Sequence, residues 1–381
     1  MVDALYPLST PEENSRESSP GDAAHTPESE PLPPAPENDD LPDLLPPDDR
    51  ELPAAETTEE QKSQHGAHKK RKILLKTAVV VLAICAGGWV YISCPPDIPV
   101  KKLRSKYALE DSRFIQLNGV ETHVRVTGRG ETLLLLHDQY SSLHTWTQWT
   151  EILSKKYRVV SVDLPGCGLS ESPETPVRDA ADYMLFLDSL TQRLNIRDCC
   201  VAGNGLGARI AWAYGLHASA QVKKIVLLNG SGFEKTSTPT WFASLAALPV
   251  VNRSMSFFTP RFFVSSLLEE RFYNPESVSD SLIQRHLDLL LYPGHRTALL
   301  AHLSQEGTWP PVLTAGNLTP PVLLIWGEND EVAAYKENAF GYHQTIRHSV
   351  LRRYRATGHW PQEERPNETA QVVMQFLEGL F

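Results

Sequence analysis

A sharp change in the sequence pattern falls at Gly203-Asn204-Gly205-Leu206-Gly207. The small and β-branched residues before it predict a strand, and the apolar spacing of residues 208–214 after it predicts a helix. So tight a strand-to-helix turn holds the side chain at its apex above the sheet. When that residue is a serine, its hydroxyl can attack a carbonyl carbon. Gly203 and Gly207 allow the turn, because Cβ atoms would collide in it. The apex itself is Gly205, so the attacking group that this chemistry requires is missing.

Further apolar runs predict the sheet that positions this turn. Each run is continuous and is separated from the next by helical patterns, which is typical of a parallel strand buried on both faces. The runs lie at residues 133–137, 159–163, 199–202, 225–228 and 322–326. Residues 114–117 and 123–126 flank Asn118-Gly119, a dipeptide that favours a β-hairpin turn. We predict a doubly wound α/β fold with a mostly parallel sheet.

Six motifs, taken in order, make the chain from about residue 108 to residue 381 resemble the α/β-hydrolase superfamily. The resemblance is closest to the branch that contains meta-cleavage-product hydrolases, epoxide hydrolases and haloalkane dehalogenases. The motifs are Leu133-Leu134-Leu135-Leu136-His137, Ser142-Leu143-His144-Thr145-Trp146, Asp163-Leu164-Pro165-Gly166-Cys167-Gly168-Leu169-Ser170, the turn at 201–207, Leu324-Ile325-Trp326-Gly327-Glu328-Asn329-Asp330, and Gly358-His359-Trp360-Pro361. This resemblance implies the fold more firmly than an activity, because one fold hosts many functions.

The resemblance implies a site made of a nucleophile, an acid and a histidine in that chain order. Asp330 matches the acid. His359 matches the base, which takes the proton of the nucleophile while the acid orients the imidazole ring. Gly205 matches the nucleophile position and provides no nucleophile.

A second departure from the family affects the oxyanion site. The family usually has His-Gly after the third strand, and this chain has His137-Asp138-Gln139. The Leu206 N–H remains as one donor to a developing oxyanion, but a carboxylate beside it opposes negative charge unless it is turned away. Both halves of the acyl-transfer apparatus are therefore altered.

Few residues offer a replacement nucleophile. Asn204 carries a poorly nucleophilic amide, and in the family this side chain packs away from the pocket. Cys167, in the loop after the fourth strand, offers a thiol near the same rim. His359 and Asp330 could activate water directly, an effect worth about 10²- to 10⁴-fold. The sequence predicts no cofactor, and the spacing of its five cysteines predicts neither a metal site nor a disulfide framework.

The folded domain is predicted over residues 114–381, with a linker at 97–113. Between Phe233 and Pro320 the strand pattern stops, and helical spacing replaces it, as at residues 279–291. A segment of this length is not a plain loop. We predict a helical lid over about residues 233–320 that covers the carboxyl edge of the sheet.

The N-terminal region differs sharply in composition from the rest of the chain. Its first 60 residues hold 17 acidic residues against two arginines, together with twelve prolines. Such a composition buries too little apolar surface to offset the entropy lost on ordering. We predict that residues 1–68 form a disordered acidic tail, which holds the excess negative charge of a chain whose net charge is −10.

A predicted membrane segment follows at residues 69–96, opened by Lys69-Lys70-Arg71-Lys72. Its apolar run begins near Ile73 and ends near Cys94, close to the minimum length for a membrane-spanning helix. A buried core helix is the alternative, but such a helix does not normally follow a disordered tail and four consecutive cations. The denser cations precede the span, which favours a cytoplasmic N-terminus and a folded domain outside the cytoplasm.

Three functions remain open from the sequence. We favour a membrane-anchored hydrolase-fold protein that lacks serine-hydrolase activity and acts as a ligand-binding or scaffolding module, with a pocket for a small apolar ligand. The alternative is an active hydrolase of ester-like or C–C substrates that uses His359 and Asp330 without a serine. A third interpretation gives the main role to the acidic tail, through a protein partner. Nucleic-acid binding has no support, because the basic residues flank the predicted span without interleaved aromatic residues.

Overall fold

The computed structural model describes residues 57–93, 95–175, 177, 179–230, 232, 257, 259–304 and 309–381. The strands are β1 Ser112–Leu117, β2 Val120–Thr127, β3 Thr132–Leu136, β4 Arg158–Val162, β5 Cys199–Asn204, β6 Val222–Leu228, β7 Val322–Gly327 and β8 Ser349–Tyr354. The helices are α1 Thr57–Ser93, α2 Val100–Tyr107, α3 Thr147–Leu153, α4 Ala180–Arg193, α5 Leu206–His217, α6 Arg261–Glu269, α7 Asp280–Leu290, α8 His295–Ser304, α9 Phe340–Thr345, α10 Pro361–Glu364 and α11 Pro366–Leu377.

The strands form one eight-stranded mixed sheet in the order β1-β2-β4-β3-β5-β6-β7-β8. β1 pairs antiparallel with β2, β2 pairs antiparallel with β4, and the remaining neighbours are parallel. Asn118 and Gly119 have φ values of 50° and 82°, the positive values that a two-residue hairpin turn requires. The predicted hairpin and the predicted α/β class are confirmed.

The central strands are buried on both faces, as their continuous apolar runs predict. Leu134 and Leu136 belong to a core packed against α4, α5 and α9, whereas Leu133 and Leu135 belong to a core packed against α3 and α11. This alternation follows from the two-residue period of a strand. The edge strand β8 was not predicted, because its residues are mostly half-buried and Arg352 and Arg353 break the apolar run.

The segment between β6 and β7, here called the insertion, contains α6, α7, α8 and two short 3₁₀ helices at Pro275–Ser277 and Val312–Asn317. The helical spacing predicted at 279–291 corresponds to α7. Ser279 caps this helix, because its side chain accepts a hydrogen bond from the Leu282 N–H at 3.2 Å. Residues 233–256 of the predicted lid lie outside the described residues.

The predicted linker at 97–113 contains a helix instead, α2, which packs on the domain. Leu103 is buried with Leu169, Leu289 and Tyr292, and the Lys106 ammonium lies 2.7 Å from the Asp288 carboxylate. The linker prediction did not include this helix, because α2 is strongly charged along its sequence and its single buried residue, Leu103, gives little local signal of docking. The sheet also begins at Ser112, two residues before the predicted boundary.

Helix α1 contains the segment Lys70–Trp89, which is long and apolar enough to cross a membrane. Its apolar side chains are exposed, for example Leu82 at 74%. The helix begins at Thr57, within the tail that we predicted as disordered to residue 68. No proline lies between Pro53 and the apolar run, so no proline interrupts this helix. Residues 1–56 of the predicted tail lie outside the described residues.

Candidate active site

Gly205 forms the apex of the turn between β5 and α5. Its φ of +54° and ψ of −113° are values that glycine tolerates and other residues rarely adopt. A Cβ on Gly203 would lie 2.0 Å from the Gly207 carbonyl oxygen, and one on Gly207 would lie 2.1 Å from the Leu136 carbonyl oxygen. The predicted reason for both flanking glycines, a backbone too close for side chains, is confirmed.

The sequence-predicted residues come together because their strands run parallel and end at one edge of the sheet. Asp138 follows β3, Gly205 follows β5, Asp330 follows β7 and His359 follows β8. The three side chains of Asp138, Asp330 and His359 are buried, with His359 only 1% exposed.

His359 and Asp330 form a hydrogen-bonded pair. The His359 Nδ1–H donates to Asp330 Oδ2 at 2.9 Å. Asp330 Oδ1 accepts hydrogen bonds from the Val332 and Ala333 N–H groups at 2.8 and 3.0 Å, and the Asn229 amide donates to Asp330 Oδ2. The carboxylate therefore orients the imidazole, as the acid of a hydrolase triad does.

The Asp138 carboxylate fills the space that a nucleophile side chain at position 205 would need. A Cβ on Gly205 would lie 2.2 Å from Asp138 Oδ1 and 2.5 Å from Asp138 Cγ. Asp138 Oδ1 accepts the Leu206 N–H at 2.9 Å, so it also occupies the remaining oxyanion donor. Asp138 Oδ2 lies 3.5 Å from His359 Nε2, the nitrogen that faces the nucleophile in a triad.

Electrostatics hold this cluster as an imidazolium between two carboxylates. Burial alone lowers the pKa of His359, but the charge of Asp330 and the hydrogen bonds to Asp138 and Asp330 outweigh it and raise the pKa to about 9. Burial alone raises the pKa of Asp138, but the hydrogen bond and charge of His359, the charge of Arg271 and the Leu206 N–H bring it below its usual range. At neutral pH His359 therefore carries a proton and is a poor general base.

Arg271, in the insertion after α6, completes the cluster and was not predicted from the sequence. Its Nε lies 3.9 Å from Asp138 Oδ2, and its guanidinium lies 4.4 Å from the centre of the Tyr140 ring. The Arg271 carbonyl accepts the His359 N–H at 2.8 Å. Nothing in the local sequence marks this arginine, because its partners lie more than 80 residues away in the chain.

A narrow, mostly apolar cavity of about 60 Å³ lies beside this cluster. Gln139, Tyr140 and Arg271 are among the residues that line it, and the apolar side chains come from the insertion: Val264, Leu267, Leu268, Leu289, Leu290 and Leu299. Cys167 also lines the cavity. Burial, with smaller effects from Asp163 and Asp138, raises the pKa of its thiol, which opposes a role as thiolate nucleophile.

Two other predicted residues support the fold of the site from behind. His137 is buried; its Nδ1–H donates to the Asp138 carbonyl at 2.6 Å, and its Nε2 accepts the Leu164 N–H at 2.9 Å. It is not among the residues that line the cavity. The Asn204 amide donates to the His359 carbonyl at 2.9 Å, so this side chain faces away from the apex. Among the described residues, no group of His, Cys, Asp and Glu side chains is placed to hold a metal ion.

This fold and this arrangement of residues define a class of protein. A sequence model described as the alpha/beta hydrolase family matches residues 133–372, so the chain belongs to that family.

Two relatives with a named activity are distant in sequence. The chain is 22% identical over 281 residues to 2-hydroxy-6-oxo-2,4-heptadienoate hydrolase of Pseudomonas putida, covering 70% of this chain and 96% of the relative. It is 24% identical over 285 residues to epoxide hydrolase 3 of Xenopus tropicalis, covering 69% and 76%. A solved meta-cleavage product hydrolase from Pseudomonas fluorescens superposes with a TM-score of 0.62 at 22% identity, covering 71% of this chain and 98% of that one. At this identity the structural likeness shows the fold alone.

Proposed function

We propose that this protein is a membrane-anchored member of the alpha/beta hydrolase family that has no serine-hydrolase activity and binds a small apolar ligand beside its altered active site. One observation carries the proposal. The Asp138 carboxylate stands where a serine at position 205 would be and holds the Leu206 N–H that would stabilise an oxyanion. The site therefore lacks a serine hydroxyl, and the Leu206 N–H is not free to bind an oxyanion.

The apolar cavity supports ligand binding. Its wall is built mainly from leucine side chains of the insertion, which favours an apolar ligand. Its volume of about 60 Å³ holds only a few water molecules. A larger ligand therefore requires the insertion to move outward, which is the role we assign to it as a lid.

Anchoring rests on α1. The exposed apolar segment Lys70–Trp89 has the length of a bilayer core, and burial of such a surface in lipid removes it from water. The cations that precede it favour a cytoplasmic N-terminus, with the hydrolase-fold domain on the other side. The acidic tail before it remains a candidate surface for a protein partner.

A fluorophosphonate probe tests the loss of serine chemistry. The full chain, in phospholipid nanodiscs, should remain unlabelled under conditions that label an active serine hydrolase completely. Ser142 is the serine whose labelling should be checked first, because it lines the cavity and donates a hydrogen bond to His144 Nδ1 at 3.0 Å. Burial lowers the pKa of His144 to about 4, so this pair should not react. Labelling of Ser142 or of any other cavity serine would overturn the proposal.

Ligand binding is tested separately with a fluorescent fatty-acid probe. The full chain in nanodiscs should bind the probe, and Leu267→Glu should weaken binding at least about tenfold, because it places a charge in the apolar wall. Leu185→Glu is the matched control, since Leu185 is 62% exposed and lies away from the cavity. Equal binding by both variants would contradict the assignment of the cavity.

A second candidate function uses Asp138 as a carboxylate nucleophile. Asp138 Oδ1 is held by the Leu206 N–H, and Oδ2 faces His359, so one oxygen is free to attack a strained carbon such as that of an epoxide. The carbon–oxygen bond of the ring breaks as Oδ2 bonds to carbon, and the ring oxygen takes the proton of the His359 imidazolium. The resulting imidazole takes one proton from water while the water oxygen bonds to Asp138 Cγ. The departing alkoxide takes the remaining water proton, which regenerates the carboxylate and the imidazolium.

This route differs from the direct activation of water on ester-like or C–C substrates, which the raised pKa of His359 disfavours. A single turnover of an aryl epoxide in H₂¹⁸O separates the two. The carboxylate route places ¹⁸O in the Asp138 peptide, which mass spectrometry detects, and Asp138→Asn abolishes turnover. Label that appears only in the product would exclude Asp138 as the nucleophile.

A further inference from the structure

The chain reaches the folded domain almost immediately after the apolar segment of α1. Helix α1 ends at Ser93, and two residues later the Pro95 carbonyl accepts a hydrogen bond from the Arg296 guanidinium of α8 at 3.2 Å. From Trp89, the last residue of the apolar segment, four helical residues and two extended ones add at most about 13 Å. The interfacial layer of a bilayer is about 5–8 Å deep on each side. A membrane-spanning α1 therefore holds the contact between Pro95 and Arg296 at the lipid surface or close above it.

Other contacts join residues 95–107, here called the post-span segment, to the insertion. The Ile98 N–H donates to the Leu291 carbonyl at 2.8 Å, and the Asp97 carboxylate lies 2.6 Å from the Arg296 guanidinium. The helices that receive these contacts, α7 and α8, also carry three of the leucines that line the apolar cavity, Leu289, Leu290 and Leu299. The insertion is therefore bound to the chain at the point where the chain leaves the predicted span.

Phe257 of the insertion lies beside this point and has an exposed ring. Its carbonyl accepts a hydrogen bond from Arg296 Nη1 at 3.3 Å, so one nitrogen atom contacts both the Phe257 and the Pro95 carbonyls. The Phe257 side chain is 68% exposed. A single exposed phenylalanine is ordinary on a soluble surface. Beside the end of a membrane-spanning helix, however, such a ring is placed where apolar and aromatic side chains enter the interfacial layer.

The first turn of α2 brings positive charge close to the same point. Lys101 and Lys102, six and seven residues after Pro95, are exposed, and neither forms a salt bridge with another described residue. Arg104 and Lys106 of the same helix differ, because they pair with Glu121 and Asp288. Ammonium groups bind phosphate oxygens, and each cation near an anionic lipid surface contributes about 1 kcal/mol of binding. The two free lysines therefore complement the headgroup layer of a phospholipid bilayer.

We propose that the insertion docks on the phospholipid bilayer that α1 crosses, with the Phe257 ring in the interfacial layer and with Lys101 and Lys102 on lipid phosphate groups. This inference rests on the membrane anchoring proposed above and adds a second lipid contact, made by the folded domain. The lid over the apolar cavity then faces lipid, the phase in which an apolar ligand is dissolved.

Photocrosslinking of the full chain in liposomes of phosphatidylcholine and phosphatidylglycerol tests this contact. The residue at position 257 is replaced by p-benzoylphenylalanine, which inserts into nearby C–H bonds on illumination, and mass spectrometry detects the phospholipid adduct. Phe340 provides the matched control position, because it is 43% exposed and begins α9 between β7 and β8, whereas α2 packs beside Phe114 of β1 at the opposite edge of the sheet. The adduct yield should be at least about fivefold higher at position 257 than at position 340.

A third position separates failure of this inference from failure of the anchoring. Leu82 lies within the apolar segment of α1, so p-benzoylphenylalanine at position 82 should form a lipid adduct whenever α1 spans the bilayer. An adduct at position 82 without one at position 257 would overturn the docking proposal and leave the anchoring intact. The absence of an adduct at both positions would overturn the two together. Crosslinking of position 257 to a second copy of the chain, in place of lipid, would also overturn the docking proposal.

Charge reversal tests the two lysines. The double variant Lys101→Glu/Lys102→Glu should lower the lipid adduct at position 257 at least about threefold, because the new carboxylates are repelled by the lipid phosphates. Lys155→Glu is the matched control, since Lys155 is exposed and precedes β4 at the amino edge of the sheet, away from the insertion; its yield should be unchanged. Equal yields in the double variant and the control would overturn the assignment of this surface to phospholipid.

Discussion

Two buried aspartates at the ends of neighbouring parallel strands, Asp163 after β4 and Asp138 after β3, serve different purposes. Both carboxylates approach histidines, and both have a pKa below the usual range even though burial acts to raise it. Asp163 accepts the Leu143 and Leu169 N–H groups at 2.6 and 2.7 Å, one on each oxygen. Its Oδ2 also contacts His123 Nδ1 at 2.7 Å.

Asp138 has a less complete set of partners. One backbone N–H, that of Leu206, binds Oδ1, while Oδ2 has only the longer contacts to His359 and Arg271 at 3.5 and 3.9 Å. Both oxygens of Asp163 therefore have backbone donors, which join loops of the fold. Asp138 instead lies against Gly205, which has no side chain, and faces the His359 imidazolium. The two aspartates are alike in burial and in their lowered pKa, and they differ in the number of backbone donors, two for Asp163 and one for Asp138.

The largest expected effect is on stability. Asp163→Asn should lower the free energy of unfolding by about 3–5 kcal/mol, because the amide NH₂ would face a backbone N–H donor and the buried charge partner is lost. Asp138→Asn should cost only about 1–2 kcal/mol, since the amide oxygen keeps the Leu206 N–H and its NH₂ can face a neutral His359. Urea unfolding at pH 7 measures both values. Equal losses would remove the distinction between the two aspartates.

The next effect is on the pH dependence of stability. The pKa of His359, about 9 in the folded state, lies above its unfolded value of about 6.5, so protonation stabilises the fold. That contribution, roughly 3 kcal/mol, is fully present below about pH 6.5 and is lost as the pH rises to about 9. Unfolding measured from pH 6 to pH 9.5 should show this loss, and Asp138→Asn should reduce it. Asp163 acts in the opposite window, since a lowered carboxyl pKa loses its contribution as the pH falls below about 4.

A smaller effect tests the shared space at the apex. Gly205→Ser should be destabilising because a Cβ there lies 2.2 Å from Asp138 Oδ1 and because φ is +54°. Adding Asp138→Gly removes the first cause, so the double variant should be more stable than the sum of the single changes by about 1 kcal/mol. Asp138→Gly alone is the control for the loss of the carboxylate. Additive effects would contradict the overlap of the two side chains.

The same pair of variants gives a second readout. Fluorophosphonate labelling should appear in the double variant, where the Leu206 N–H is released to an oxyanion and His359 no longer faces Asp138, and not in Gly205→Ser alone. Labelling of Gly205→Ser alone would show that Asp138 moves aside at no cost.

The sequence predicts this fold well where the signal is local. Continuous apolar runs identify the five buried parallel strands because both faces of each are covered, and Asn118-Gly119 identifies the hairpin because few dipeptides accept two positive φ values. Strand β8 and helix α2 are not identified from the sequence, because each is stabilised mainly by surfaces distant in sequence. The residues of the candidate site divide in the same way, into those that a local pattern identifies and those whose position depends on contacts distant in sequence.

The sequence alone shows at Gly205 that the nucleophile is missing. The order of the family's motifs identifies Asp330 as the acid and His359 as the base. That Asp138 lies beside the apex follows from the register of β3 beside β5, which aligns Leu136 with Gly203. Arg271 reaches the site from the insertion, and no local pattern marks it. Sequence patterns report secondary structure and strand ends, whereas the direction in which a side chain turns at a strand end depends on the neighbouring loops.

The most direct test of the account is the titration of the His359 imidazole by NMR, assigned by the resonance that disappears in His359→Gln. With the Asp138 carboxylate against Gly205 and facing Nε2, the wild-type ring should titrate near pH 9, and Asp138→Asn should lower its pKa measurably. A ring that titrates near its ordinary value of about 6.5, and is unchanged by Asp138→Asn, would contradict the placement of Asp138 on which the rest depends.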